Sequence, residues 1–170
     1  MSSEQLYIID SMKSKMHNSP YFNIGFSSKS YSLDFSQLSR IHFNSEADYV
    51  RAEKNVLECA DYLTSMPLDT SNVNRGYAET FLLLWMNGTT EFTFNLNKKI
   101  CKIIESNISL LSIYIAFVAK HVIANKDKLV CEDEICSNVI PLLIDYCKKF
   151  NISEAIADLN KMFTTGCRVA

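Results

Sequence analysis

The sequence predicts an all-α fold: a compact bundle or short solenoid-like stack of about six or seven helices, with an aromatic-rich N-terminal arm. Three observations carry this expectation. Apolar residues recur at spacings of three and four along most of the chain, the period of a helix with one buried face. Turn formers are scarce, with four Gly and three Pro in 170 residues, which disfavours a turn-rich all-β fold. The stretch 107–125 is apolar nearly all round (Leu110, Leu111, Ile113, Tyr114, Ile115, Phe117, Val118, Val122, Ile123), as expected of a central helix wrapped by others.

Residues 3–17 read as a short amphipathic helix through Leu6, Ile9, Met12 and Met16. Residues 18–43 read as an extended arm, with a short strand where Tyr31 to Phe35 alternate. Its aromatics (Tyr21, Phe22, Phe26, Tyr31, Phe35, Phe43) should dock on the helical body. Asn44 or Ser45 caps a helix to about Thr64, with Glu46 and Asp48 at its positive end and Ala52, Val56, Cys59, Ala60 and Leu63 as core stripe. Pro67 ends it. Ser71 or Asn72 opens the next helix, through Tyr77, Phe81, Leu82, Leu84 and Trp85 to Asn87-Gly88, where Gly88 suits a left-handed C-terminal cap. Glu91 to Phe94 alternate as a brief extended link. A helix over about 96–106 turns Ile100, Ile103 and Ile104 inward and Lys98, Lys99 and Lys102 outward. After the central helix, Glu132-Asp133-Glu134 open another and Lys148-Lys149 close it. Pro141 inside it predicts a kink near 137–141 or two short helices. Ser153 caps a last helix to about Phe163, and residues 167–170 should fray.

The length suits one domain over residues 1–170, with the 18–43 arm packed on the body. Such a chain buries roughly 70% of its unfolded surface, enough for a core without covalent staples. Net charge is −2, so nothing points to nucleic acid or an anionic membrane, which attract clustered positive charge. Base stacking on the arm would also need interleaved basic residues, and only Lys29 and Arg40 occur there. No apolar run is long enough for a transmembrane segment. The first ten residues carry Glu4 and Asp10 and lack a signal-peptide core, so the expectation is a soluble, cytoplasmic chain, or an exported one if a leader has been trimmed. Of six cysteines, Cys59 sits with Val56 and Leu63 at helical spacing, and Cys136 and Cys147 share a face with Ile140 and Leu143. These three read as reduced core thiols.

Two resemblances are visible. Asp145-Tyr146-Cys147-Lys148-Lys149-Phe150-Asn151-Ile152-Ser153-Glu154-Ala155-Ile156 resembles the junction inside a tetratricopeptide repeat, without the usual Gly in the turn, and implies a local helix hairpin. The segments Phe35 to Phe43, Ala52 to Leu63 and Leu84 to Thr89 resemble small helical proteins of Bacteroidetes-type bacteria that have no assigned activity. This similarity spans roughly residues 33–150 and implies a bacterial helical protein without an activity to carry over.

Motifs for chemistry are sparse. The four Gly stand alone at 25, 76, 88 and 166, so no phosphate-cradling loop exists, and neither a Gly-x-Ser-x-Gly elbow nor a His-Glu-x-x-His pair occurs. His121 with Cys131 and Cys136 is a partial metal-ligand set lacking a fourth ligand. Structural thiols and a dipole-facing histidine explain the same residues. Arg75 and Glu79, four apart, read either as a surface ion pair or, with Tyr77 and Trp85, as a polar and aromatic anchor for a partner. Gly76 beside them allows close backbone approach.

The expected function is therefore a non-enzymatic protein–protein interaction module that binds a partner or itself through a helical groove, at Arg75, Glu79, Tyr77 and Trp85. No cofactor or metal is called for. Two alternatives stand beside it: an enzyme or metal-dependent protein using His121 with Cys131 and Cys136, or with Glu79, and a bundle holding an apolar ligand beside Ile113, Phe117 and Trp85.

Overall fold

The computed structural model describes residues 33–90, 98–126, 128 and 131–165. The expected helix at 3–17, most of the arm, the 91–94 link and the C-terminal tail lie outside the described residues. Among the described residues every regular element is helical. A 3-10 helix, Phe35–Arg40, precedes six α-helices: α1 (Glu46–Ser65), α2 (Val73–Gly88), α3 (Lys98–Ser106), α4 (Leu110–Ala124), α5 (Glu132–Lys149) and α6 (Ser153–Thr165).

Local chemistry accounts for most boundaries. Asp48, three residues into α1, accepts hydrogen bonds from the Asn44 and Ser45 backbone N–H groups (3.0 and 2.8 Å) and from the Ser45 hydroxyl (2.9 Å). These bonds close the entry to α1 through its acidic third position, as in a capping box. The same donors, with Arg51 beside it, lower the Asp48 pKa to about 2. At the start of α2 the Asn72 side chain accepts from Arg75 N–H at 3.1 Å, the ordinary N-cap bond.

α5 runs unbroken through Pro141, so it is neither two helices nor ended by the proline. The missing N–H deprives the Ser137 carbonyl of its helical donor. Ser137 is exposed, where water can supply one. Between α5 and α6, Asn151 takes the left-handed conformation (φ 57°) that Gly most often fills. Ile152 N–H then bonds back to Cys147 O at 2.8 Å and Asn151 N–H to Lys148 O at 3.3 Å, the paired bonds of a Schellman turn.

Two expectations change. Around Phe35 the arm is a 3-10 helix, not a strand, because Asp34 caps it through Ser36 N–H at 3.0 Å. Of its aromatics, Tyr21, Phe22, Phe26 and Tyr31 lie outside the described residues; Phe35 meets the Tyr62 ring, and Phe43 stacks on Tyr49 and leans on Phe81. Gly88 is the last residue of α2 and does not take a left-handed φ. A Cβ there would run into the ring end of Tyr49 from α1, so a larger residue would require that side chain to move.

α4 is the central helix. It is buried on nearly all faces and packs against α1, α2 and α5. α1 also packs on α2, the 3-10 helix lies on α2, α6 lies on α5, and the short α3 contributes Ile100, Ile103 and Ile104 to the core and touches α6. No helix among the described residues is long and apolar enough to cross a membrane.

Candidate functional site

Helix α2 holds all four residues singled out for partner binding, and it divides them between two faces. Arg75 is 3% exposed, which places the expected surface anchor inside the protein. Its Nε donates to Glu79 Oε1 at 2.8 Å, Nη1 to the Pro67 carbonyl at 3.2 Å and Nη2 to the Ser112 hydroxyl at 3.2 Å. The Tyr146 hydroxyl donates to the Met66 carbonyl at 2.7 Å. One guanidinium thus ties α2 to α4 and to the loop that follows α1. This is the satisfied arrangement a buried charge requires, since an unpartnered one would be expelled or neutralised. Glu79 is close to the surface, with 15% of its side chain exposed. Burial raises the Tyr146 pKa to about 12, with Arg75 pulling the other way.

Trp85 is also interior, at 1% exposed. Its indole N–H donates to the Tyr49 carbonyl at 3.0 Å, locking α2 to α1 beside the Phe43, Tyr49 and Phe81 rings. Tyr62, on the same side, is buried and donates its hydroxyl to the Asn72 side chain at 3.1 Å. A partner could reach Arg75 or Trp85 only by parting the helices. The correction has a physical reason: the four-residue spacing of Arg75 and Glu79 is blind to whether their face meets water or neighbouring helices.

The opposite face of α2 was missed. Val73 is 62% exposed and Leu84 46%; Thr80 and Asn87 are exposed and Tyr77 is half-buried. At 100° per residue, Val73, Tyr77, Thr80 and Leu84 fall within about 60° of arc. This stripe carries no charge, because the only charged residues of α2, Arg75 and Glu79, pair on the other side. The sequence held the signal: spacings of four, three and four between these positions, with no Lys, Asp or additional Glu or Arg among them.

The remaining candidates do not converge. Cys131 is exposed at the residue before α5, Cys136 is buried one turn later, and His121 lies in the last turn of α4 with its Nε2 buried and without a hydrogen-bond partner. Among the described residues no three His, Cys, Asp or Glu side chains gather as a metal site would need. Burial pushes the Cys59 thiol up to about 12 and the Cys147 thiol to about 11, which leaves both protonated and poor nucleophiles at neutral pH. Ile113 and Trp85, offered as walls of an apolar ligand site, are closed into the core, with Phe117 half-buried beside them. No protein-family model matches the chain, and neither a curated protein nor a solved structure does.

Proposed function

We propose that this chain is a non-enzymatic protein-interaction module that binds a protein partner, or a second copy of itself, through the outer face of α2. The observation behind this reading is the uncharged, partly apolar stripe Val73, Tyr77, Thr80, Leu84. Isolated exposed apolar residues are normal on a protein surface. A full helix face without charge is different, because depletion of charged residues marks the core of protein interfaces. Of the anchor residues expected from sequence, Tyr77 belongs to this face, whereas Arg75, Glu79 and Trp85 hold it rigid from behind.

The test compares wild-type protein with a Val73→Glu/Leu84→Glu variant as immobilised baits. Both should have the same circular dichroism spectrum, since the two residues touch water. The expected result is a binding partner, a second copy included, retained by the wild type and lost from the variant. Equal retention by both baits would reject this face as the docking surface.

A further inference from the structure

Asn87 is the one asparagine of the chain with a glycine after it. The backbone nitrogen that follows an asparagine can attack the side-chain amide carbon and close a five-membered ring. A side chain on the following residue crowds that attack, and glycine has none. Asn44, Asn74, Asn138, Asn151 and Asn160 are also exposed, but Ser, Arg, Val, Ile and Lys follow them. The Ser45 nitrogen is further held by its bond to Asp48 at 2.8 Å. Ring closure also needs the asparagine to leave the helical conformation, which a residue inside a helix does only by breaking the turns on both sides. Asn87 is exposed and next to last in α2, and the backbone is already extended at Thr89 (ψ 134°). What resists is the final turn, closed by the Thr89 N–H bond to the Trp85 carbonyl at 3.0 Å, and terminal turns open at little cost.

We propose that Asn87 is a site of spontaneous covalent modification. The Gly88 nitrogen bonds to the Asn87 side-chain carbon, gives up its proton and expels the amide nitrogen as ammonia. Water, the only co-reactant, then opens the succinimide at one carbonyl to isoaspartate or at the other to aspartate. Both products place a carboxylate at the C-terminal end of α2, where the macrodipole disfavours negative charge. Isoaspartate also carries the backbone through one extra carbon, which displaces Gly88 from its place beside the Tyr49 ring. That disturbs the last turn of α2 where it meets α1, beside the Phe43–Tyr49 stack and the Trp85 bond to the Tyr49 carbonyl. Asn87 lies on the same face as Val73, Tyr77, Thr80 and Leu84, three residues beyond Leu84. The modification therefore charges the surface proposed above for docking; this consequence rests on that reading, and the chemistry does not.

The experiment ages the full chain at mildly alkaline pH, in native buffer and in urea. Every asparagine is followed by peptide mass spectrometry and by labelling with an isoaspartyl methyltransferase. In native buffer Asn87 should convert several-fold faster than Asn74, mainly to isoaspartate. Asn87→Gln should lose that label while keeping the wild-type circular dichroism spectrum. Conversion of Asn87 in urea but not in native buffer overturns the proposal, because the fold would then protect the site. So does conversion no faster than that of Asn74. Immobilised baits separate this inference from the interaction reading. Aged wild type should retain less partner than aged Asn87→Gln. Equal retention with Asn87 converted leaves the modification standing and rejects the outer face of α2 as the docking surface. An intact Asn87, with a partner still lost from Val73→Glu/Leu84→Glu, rejects the modification alone.

Discussion

The two faces of α2 reverse the usual placement of charge. The inner face buries an arginine and its glutamate partner among helices, and the outer face shows valine, leucine and tyrosine to solvent. The outer face of α5 shows what an ordinary surface looks like. Leu142 is exposed there too, but among Asp145, Lys148 and Lys149, with Lys148 within 3.6 Å of Asp145. A lone aliphatic among charges says nothing about partners. An exposed aliphatic whose whole helix face lacks charge does, because a partner could cover it without stripping water from an ion. On α2 the charges have been drawn inward to staple the bundle, which leaves the outer surface neutral.

If that division of labour is right, inner-face substitutions should damage stability and outer-face substitutions should damage binding. The largest effect is expected from Trp85→Ala. It empties a fully buried aromatic site and removes the indole hydrogen bond that ties α2 to the Tyr49 carbonyl of α1, and should cost about 4 kcal/mol in a urea titration followed by circular dichroism. Arg75→Met should come next, at about 3 kcal/mol, because Glu79 then keeps its charge with no partner and the Pro67 and Ser112 acceptors lose a donor. Adding Glu79→Leu should return much of that loss. A double variant no more stable than Arg75→Met would mean that Glu79 is solvated well enough to stand alone.

The ends of the pH range sharpen the same contrast. Tyr146 has a folded pKa of about 12 against an ordinary 10, so the fold holds its proton more tightly than the unfolded chain does. The stability it contributes is fully present below pH 10 and is lost as pH rises towards 12. Tyr146→Phe should flatten the alkaline limb of a urea-midpoint profile, at the cost of its bond to Met66. Asp48 runs the other way. Its folded pKa is about 2, so its contribution is present above about pH 4 and disappears as pH falls to 2, and Asp48→Asn should flatten the acid limb between those values. The smallest effect on stability is expected from Leu84→Glu, within about 0.5 kcal/mol of wild type. A loss of 2 kcal/mol would show that Leu84 is packed by something within the same chain, and would move the outer face of α2 from docking surface to core.

Much of this fold was legible in the residues because helices are decided locally. Apolar spacing placed α1, α3 and α4, and Asp48, Asn72 and Ser153 stand at or near the helix starts read from capping chemistry. The turn between α5 and α6 was legible as a turn, although the tetratricopeptide-like pattern lacked its glycine; Asn151 supplies the left-handed residue instead. Of the two outcomes Pro141 allowed, division into two helices does not occur, because the carbonyl it orphans, on exposed Ser137, can take its donor from water. Gly88 stands at the end of α2 as expected, but not as a left-handed cap; the Tyr49 ring, from 39 positions earlier, fills the space beside it.

Sequence alone determined that α2 is a helix and that Arg75 pairs with Glu79, because hydrogen bonds and side-chain spacing within a few residues decide both. Only the tertiary structure decided which face of α2 is interior. Burying Arg75 requires acceptors supplied by Pro67 and by Ser112 on α4, and those come together only when the chain has folded. The outer stripe is the consequence. Once the charges of α2 are satisfied inside, what remains for solvent or for a partner is Val73, Tyr77, Thr80 and Leu84.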